Sequence, residues 1–232
     1  MRLLVLMFLV LMVPSANALE LQGHMTQGGL IRGKTEPQAV VMLDGRTLRV
    51  SPGGDFIFGF NRDAPAQATL TVRLPDGTVT EKNLAVAPRE YAIQRIDGLP
   101  SKRVTPPADV LARIRAENAQ IAAVRERDRD AALFLGDWIR PAEGPVTGVY
   151  GSQRILNGKP RQPHYGIDYA GPVGTPVVAP APGVVVLAED DLYYTGGTLI
   201  LDHGHGLTSA FLHLSKVDAK PGETVARGQR IG

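Results

Sequence analysis

Glycine and proline cut this chain into short apolar runs, and that punctuation limits its possible folds more than any other feature. Gly and Pro supply 44 of the 232 residues, about 19% against roughly 12% in average usage. Proline removes a backbone donor and glycine weakens any helix it interrupts. Long helices are therefore excluded wherever the two recur, and a turn-rich, mainly β protein remains. At 44% hydrophobic and 21% charged residues the chain is neither disordered nor fibrous. Its formal net charge of +2 does not suit a polybasic nucleic-acid binder. With no Cys there are no disulfides, thiol nucleophiles or thiolate metal sites, so any metal must be held by the five His residues and by carboxylates.

The first residues predict a compartment. Arg2 precedes an apolar run from Leu3 to Val13, then Pro14, Ser15 and Ala16-Asn17-Ala18, a small-x-small cleavage pattern. Residues 1–18 are expected to be a cleaved secretory signal, since the run is half the roughly 20 residues that a membrane span needs. No Cys follows to carry a lipid. The expectation is a periplasmic or extracellular protein without a permanent membrane anchor.

Four regions follow from pattern. After the signal, residues 19–98 alternate short apolar runs with turns, as in a small β-sandwich. Val40 to Leu43 meets Asp44-Gly45, a two-residue hairpin signal. Phe56, Phe58 and Phe60 share one strand face, and Leu70, Val72 and Leu74 another. Residues 99–143 are a helical linker. Past Pro106-Pro107 the period changes to about 3.6, with Val110, Leu111, Ile114, Ile121 and Val124 on one stripe. The alternating run Arg125 to Asp130 fits a solvated helix end better than a partner-binding surface. Residues 144–232 return to short strands, at Val146 to Tyr150, Tyr165 to Tyr169, Pro176 to Val178, Gly183 to Ala188, Thr198 to Asp202, Thr208 to Leu214, and Thr224 to Val225. The predicted fold class is mainly β: a sandwich, a linker α-helix and a C-terminal antiparallel sheet domain.

Four of the five histidines fall in the last region, which is where chemistry is expected. In His164-Tyr165-Gly166-Ile167-Asp168 the two polar ends share a strand face while Tyr165, Ile167 and Tyr169 pack behind. Fully extended, their Cα atoms stand about 13 Å apart, so a bend at Gly166 is needed before both can reach one ion. By spacing alone the pair is either a surface hydrogen bond or a metal site. His203-Gly204-His205 lies in a glycine-rich turn, which favours two surface histidines over a His-x-His ligand pair. His213 shares the strand face of Phe211 and is expected to look into a groove.

Several ordered motifs then carry a resemblance from about Gly144 onward. They are Gly148-Val149-Tyr150-Gly151-Ser152, His164-Tyr165-Gly166-Ile167-Asp168, Gly174-Thr175-Pro176-Val177, Ala181-Pro182-Gly183-Val184-Val185, Asp202-His203-Gly204, Phe211-Leu212-His213-Leu214-Ser215 and Pro221-Gly222-Glu223-Thr224-Val225. Together they resemble the lysostaphin-type (LytM-like) zinc peptidases that cut peptide bonds of peptidoglycan. The resemblance implies zinc as cofactor, His164 and Asp168 as two of its ligands, His213 as a catalytic histidine, and attack by a metal-bound water. It also implies a third ligand from a later His-x-His motif, which the 232 residues do not contain, so the sheet domain is expected to be incomplete, a fragment or a degenerate copy.

Three functions compete. The first is a zinc metalloendopeptidase acting on peptidoglycan peptides. The second is a non-catalytic domain of the same fold that binds peptidoglycan or activates a cell-wall amidase. The third is a lipoyl-type carrier, suggested by the Ala-Pro-Gly-Val-Val and Pro-Gly-Glu-Thr-Val pieces; such a carrier needs a hairpin-tip lysine, and Asp190 to Ser215 has none.

Overall fold

The computed structural model describes residues 19–98 and 108–232. The expected signal segment and Pro106-Pro107 lie outside them. Seven strands come first: β1 (Glu20–Gly23), β2 (Leu30–Lys34), β3 (Val40–Leu43), β4 (Arg46–Leu48), β5 (Asp55–Gly59), β6 (Gln67–Arg73) and β7 (Val79–Ala85). They make two antiparallel sheets, in the orders β1-β2-β5 and β4-β3-β6-β7. Alternation in the sequence explains the packing. On β6, Ala68, Leu70 and Val72 turn inward while Thr69 and Thr71 stay partly exposed. Leu70 meets Ile31, Val41, Phe56 and Phe58 in one buried cluster, and burying each such side chain stabilises the module by about 1.5–3 kcal/mol. Asp44 and Gly45 both take positive φ, 48° and 79°, which gives the β3–β4 hairpin the tight turn their dipeptide predicts.

The remaining elements are β8 (Ile93–Ile96), α1 (Leu111–Arg125), a 3-10 turn at Leu133–Leu135, β9 (Val146–Gly148), β10 (Gln153–Leu156), β11 (Lys159–Pro160), β12 (Asp168–Tyr169), β13 (Gly183–Leu192), β14 (Gly196–Gly204), β15 (Leu207–Leu214) and β16 (Thr224–Val225). The main sheet is antiparallel, in the order β15-β14-β13-β16. Its central strand β14 is buried on both faces, which accounts for the unbroken apolar run Leu199-Ile200-Leu201. Leu199 and Leu201 pack with Val185, Phe211, Val225 and Ile231. Ile200 faces the other way, toward Val124 of α1, with Ile121 beside it. The helical stripe thus covers one face of the sheet.

Two links between the regions were not foreseen. β8 leaves the sandwich and pairs in parallel with β10, from Ile93 opposite Gln153 to Ile96 opposite Leu156. The run Arg125 to Asp130 is not a solvated helix end. The helix stops at Arg125, after which Arg49 of the sandwich pairs with Asp128 at 2.7 Å and also with Asp130. Arg129 turns the other way and pairs at 3.1 Å with Asp202, which is only 1% exposed. Alternating charge here clamps the connecting segment to both sides.

The strand expected over Tyr165 to Tyr169 is also corrected. Only Asp168 and Tyr169 join a sheet, pairing with β9. Tyr165 and Ile167 do not pack behind the site, being 57% and 54% exposed.

Candidate metal centre

The chain bends at Gly166, and the bend closes the distance that an extended strand would leave. His164 Nε2 and Asp168 Oδ1 stand 2.9 Å apart. Both side chains remain open to solvent, 33% and 58% exposed. Asp168 can lie in this position because its partner across β9–β12 is Gly148; a Cβ there would collide with the Asp168 carboxylate.

His164 is held on three sides by a single loop. Its backbone N–H donates to Ser152 O at 2.8 Å, and its carbonyl accepts from Gly151 N–H at 2.7 Å. Its Nδ1 lies 3.1 Å from Val149 O. A carbonyl can only accept, so a proton sits on Nδ1 and Nε2 is the nitrogen that faces Asp168. A proton or a cation between Nε2 and the carboxylate joins the two.

This donor set fits zinc. Metal-binding histidines characteristically give the other ring N–H to a carbonyl or carboxylate, which fixes the tautomer. Ligand atoms each about 2.1 Å from a tetrahedral ion stand roughly 3.4 Å apart, so a small opening of the pair would admit one. Among the described residues no three His, Asp or Glu side chains converge. The pair presents two donor atoms, one nitrogen and one oxygen, to a single point.

His203 and His213 are placed differently from expectation, while His205 lies in its expected turn. His203 is fully buried on β14 rather than at the surface of a turn. Its Nδ1–H donates to Pro182 O at 2.6 Å, its Nε2 accepts from Ser209 Oγ at 2.7 Å, and Trp138 packs on the ring at 4.7 Å. Burial pushes its pKa below the ordinary value, against the Pro182 carbonyl and the Asp202 charge. His205 occupies the β14–β15 turn with φ 52° and reaches Asp130 O. The two do not form a ligand pair.

His213 does not share the face of Phe211. Three steps along β15, from Phe211 to Leu214, oppose two on β14, so a bulge interrupts the alternation. His213 itself has φ 60° and donates its N–H to Thr195 O at 2.8 Å. Phe211 is buried while His213 is exposed. Among the described residues no hydrogen bond or ion pair joins His213 to His164 or Asp168. Sequence reasoning missed Val149, Ser152 and Thr195, which act through backbone carbonyls that any residue carries.

Comparison with known proteins bears on this region above all. Residues 162–232 match peptidase family M23. A crystal structure from Pseudomonas aeruginosa assigned to peptidase M23 superposes with a TM-score of 0.66 at 27% identity, covering 89% of this chain and 81% of that one. Peptidoglycan DD-endopeptidase ShyA of Vibrio cholerae is 46% identical over 70 residues, 30% of this chain and 16% of its own. Murein hydrolase activator NlpD of Escherichia coli is 31% identical over 97 residues, 42% of this chain and 24% of its own. The matches thus span about one sixth to one quarter of these two relatives.

Proposed function

Residues 162–232 being a domain of peptidase family M23, we propose that the protein is a zinc-dependent endopeptidase that cuts peptide bonds of peptidoglycan outside the cytoplasmic membrane. One observation carries this reading: His164 Nε2 and Asp168 Oδ1 converge to 2.9 Å with the His164 tautomer fixed by Val149 O. Zinc held there would supply Lewis acidity, polarising a carbonyl and making water nucleophilic near neutral pH. His164 and Asp168 present their lone pairs to it. His213, exposed on its bulge, handles a proton at a ring nitrogen, orienting the attacking water or donating to the oxyanion. The expected signal segment and the relatives' peptidoglycan substrates support the location.

A second reading is an activator of a cell-wall amidase. The similarity to NlpD favours it. Zymography on purified peptidoglycan separates the two. The endopeptidase reading expects clearing that chelator abolishes, that zinc restores, and that His213→Ala reduces by about 10²-fold or more. Clearing indifferent to chelator refutes the zinc mechanism, and stimulation of an added amidase without intrinsic clearing selects the activator.

A further inference from the structure

The loop that fixes His164 is itself gripped by the sandwich. Arg62, in the turn after β5, is 9% exposed although it carries a full charge. Its Nε donates to Gly151 O at 2.8 Å, and its Nη1 pairs with Asp63 at 2.6 Å. Its guanidinium lies 4.2 Å over the ring of Tyr91, whose hydroxyl donates back to Arg62 O at 2.9 Å. Tyr91 also packs on Gly151 so closely that any Cβ there would collide with the ring edge. Gly151 has φ 87°, a conformation that a glycine adopts freely. Gly28 leaves the same kind of space for Tyr150. Two residues beyond Gly151, Gln153 N–H donates to Ala92 O, and the β8–β10 pairing begins.

These contacts form a continuous path. Arg62 and Tyr91 hold both the carbonyl and the Cα of Gly151; Gly151 N–H holds the His164 carbonyl; Ser152 O holds the His164 N–H; and Val149 O, two residues back, holds Nδ1. We propose that Arg62 and Tyr91 are positioning residues for His164, so that the N-terminal sandwich is a working part of the metal centre rather than a spacer. The buried guanidinium stands outside the sandwich's apolar cluster and is aimed instead at one backbone carbonyl of the loop. What it does is fix the loop from which the ligand histidine takes its tautomer. If the sandwich swings away, Gly151 loses its grip and His164 Nε2 is no longer directed at Asp168. The zinc part of this inference rests on the proposed function; the relay itself does not.

The test compares wild-type protein with Arg62→Lys, which keeps the charge but cannot reproduce the flat stack and the Nε donor, with Arg62→Ala, and with Leu70→Ala. The last weakens the sandwich core without touching the relay. Amide hydrogen exchange at Gly151 and His164 and competitive Zn2+ titration are read on each. Arg62→Lys is expected to speed His164 amide exchange roughly tenfold and to weaken Zn2+ binding by about tenfold, the scale of lost outer-shell support. Leu70→Ala should move neither more than about twofold. Should Arg62→Ala not fold, Arg62→Lys decides. Wild-type exchange and Zn2+ affinity in Arg62→Lys, or equal effects from Leu70→Ala, overturns the proposal. If His164→Ala leaves Zn2+ binding unchanged, the zinc reading fails, and the exchange data alone still decide the relay.

Discussion

Replacing His203 probes the part of the domain where sequence expectation and structure differ most. In His203→Ala the Pro182 carbonyl and the Ser209 hydroxyl each lose a partner. Both residues are only partly buried, so water can reach them and each loss costs about 1 kcal/mol, the low end for an orphaned group. The ring also leaves a gap between Trp138 and Gly183, worth about 2 kcal/mol. The expected total is about 3–4 kcal/mol, or a fall in Tm on the order of 10 °C for a chain of this size. His203→Phe keeps the ring and drops the hydrogen bonds, so it should cost about 2 kcal/mol. Urea unfolding at pH 7.5 and 5.5 measures both. The pH dependence has a definite sign. Burial lowers the folded-state pKa of His203, so between that value and the unfolded value of about 6.5 the unfolded chain binds more protons. The contribution is fully present above about pH 6.5 and is lost as pH falls through the folded pKa. The gap between wild type and His203→Phe should therefore shrink from pH 7.5 to 5.5. A constant or widening gap, or an alanine cost below about 1 kcal/mol, would refute the assignment of a buried neutral ring.

Two further substitutions address the site. Gly148→Ala places a methyl against the Asp168 carboxylate at a position without positive φ, so the strand should tolerate it while Zn2+ affinity falls about tenfold or more; competition against a chromophoric chelator measures this. Glu117 of α1 accepts the Tyr193 N–H at 2.8 Å and pairs with Arg113, which also reaches Asp191. That grip steadies the hairpin whose Thr195 carbonyl holds His213, so Glu117→Ala is expected to lower the rate of peptidoglycan clearing several-fold with little change in Tm, and unchanged clearing would remove α1 from any role at the site.

How much of this could be seen in the sequence depends on which atoms carry the information. Side-chain patterns were legible: the alternation of Ala68, Leu70 and Val72, the Asp44-Gly45 turn and the stripe of α1, with Ile114 and Val124 buried. That His164 and Asp168 could meet was legible too, and so was the bend at Gly166 that this requires. What failed was parity. A period of two assumes an uninterrupted ladder, and the bulge at His213 and the irregular backbone from Pro163 to Ile167 break it. The carbonyls of Val149, Ser152 and Thr195 leave no mark in the sequence, because each residue there could be another without changing the acceptor. The glycines mark the same places indirectly: Gly148 makes room for Asp168, Gly151 for Tyr91 and Gly183 for His203. The glycine content that first points to a turn-rich fold therefore also reports close approach, and three of these approaches converge on histidines or on their supports. Substituting them one at a time separates turn-forming glycines, where alanine strains only the backbone, from packing glycines, where it displaces a named side chain. Gly148 and Gly183, without positive φ, belong to the second kind, and Gly151 belongs to both.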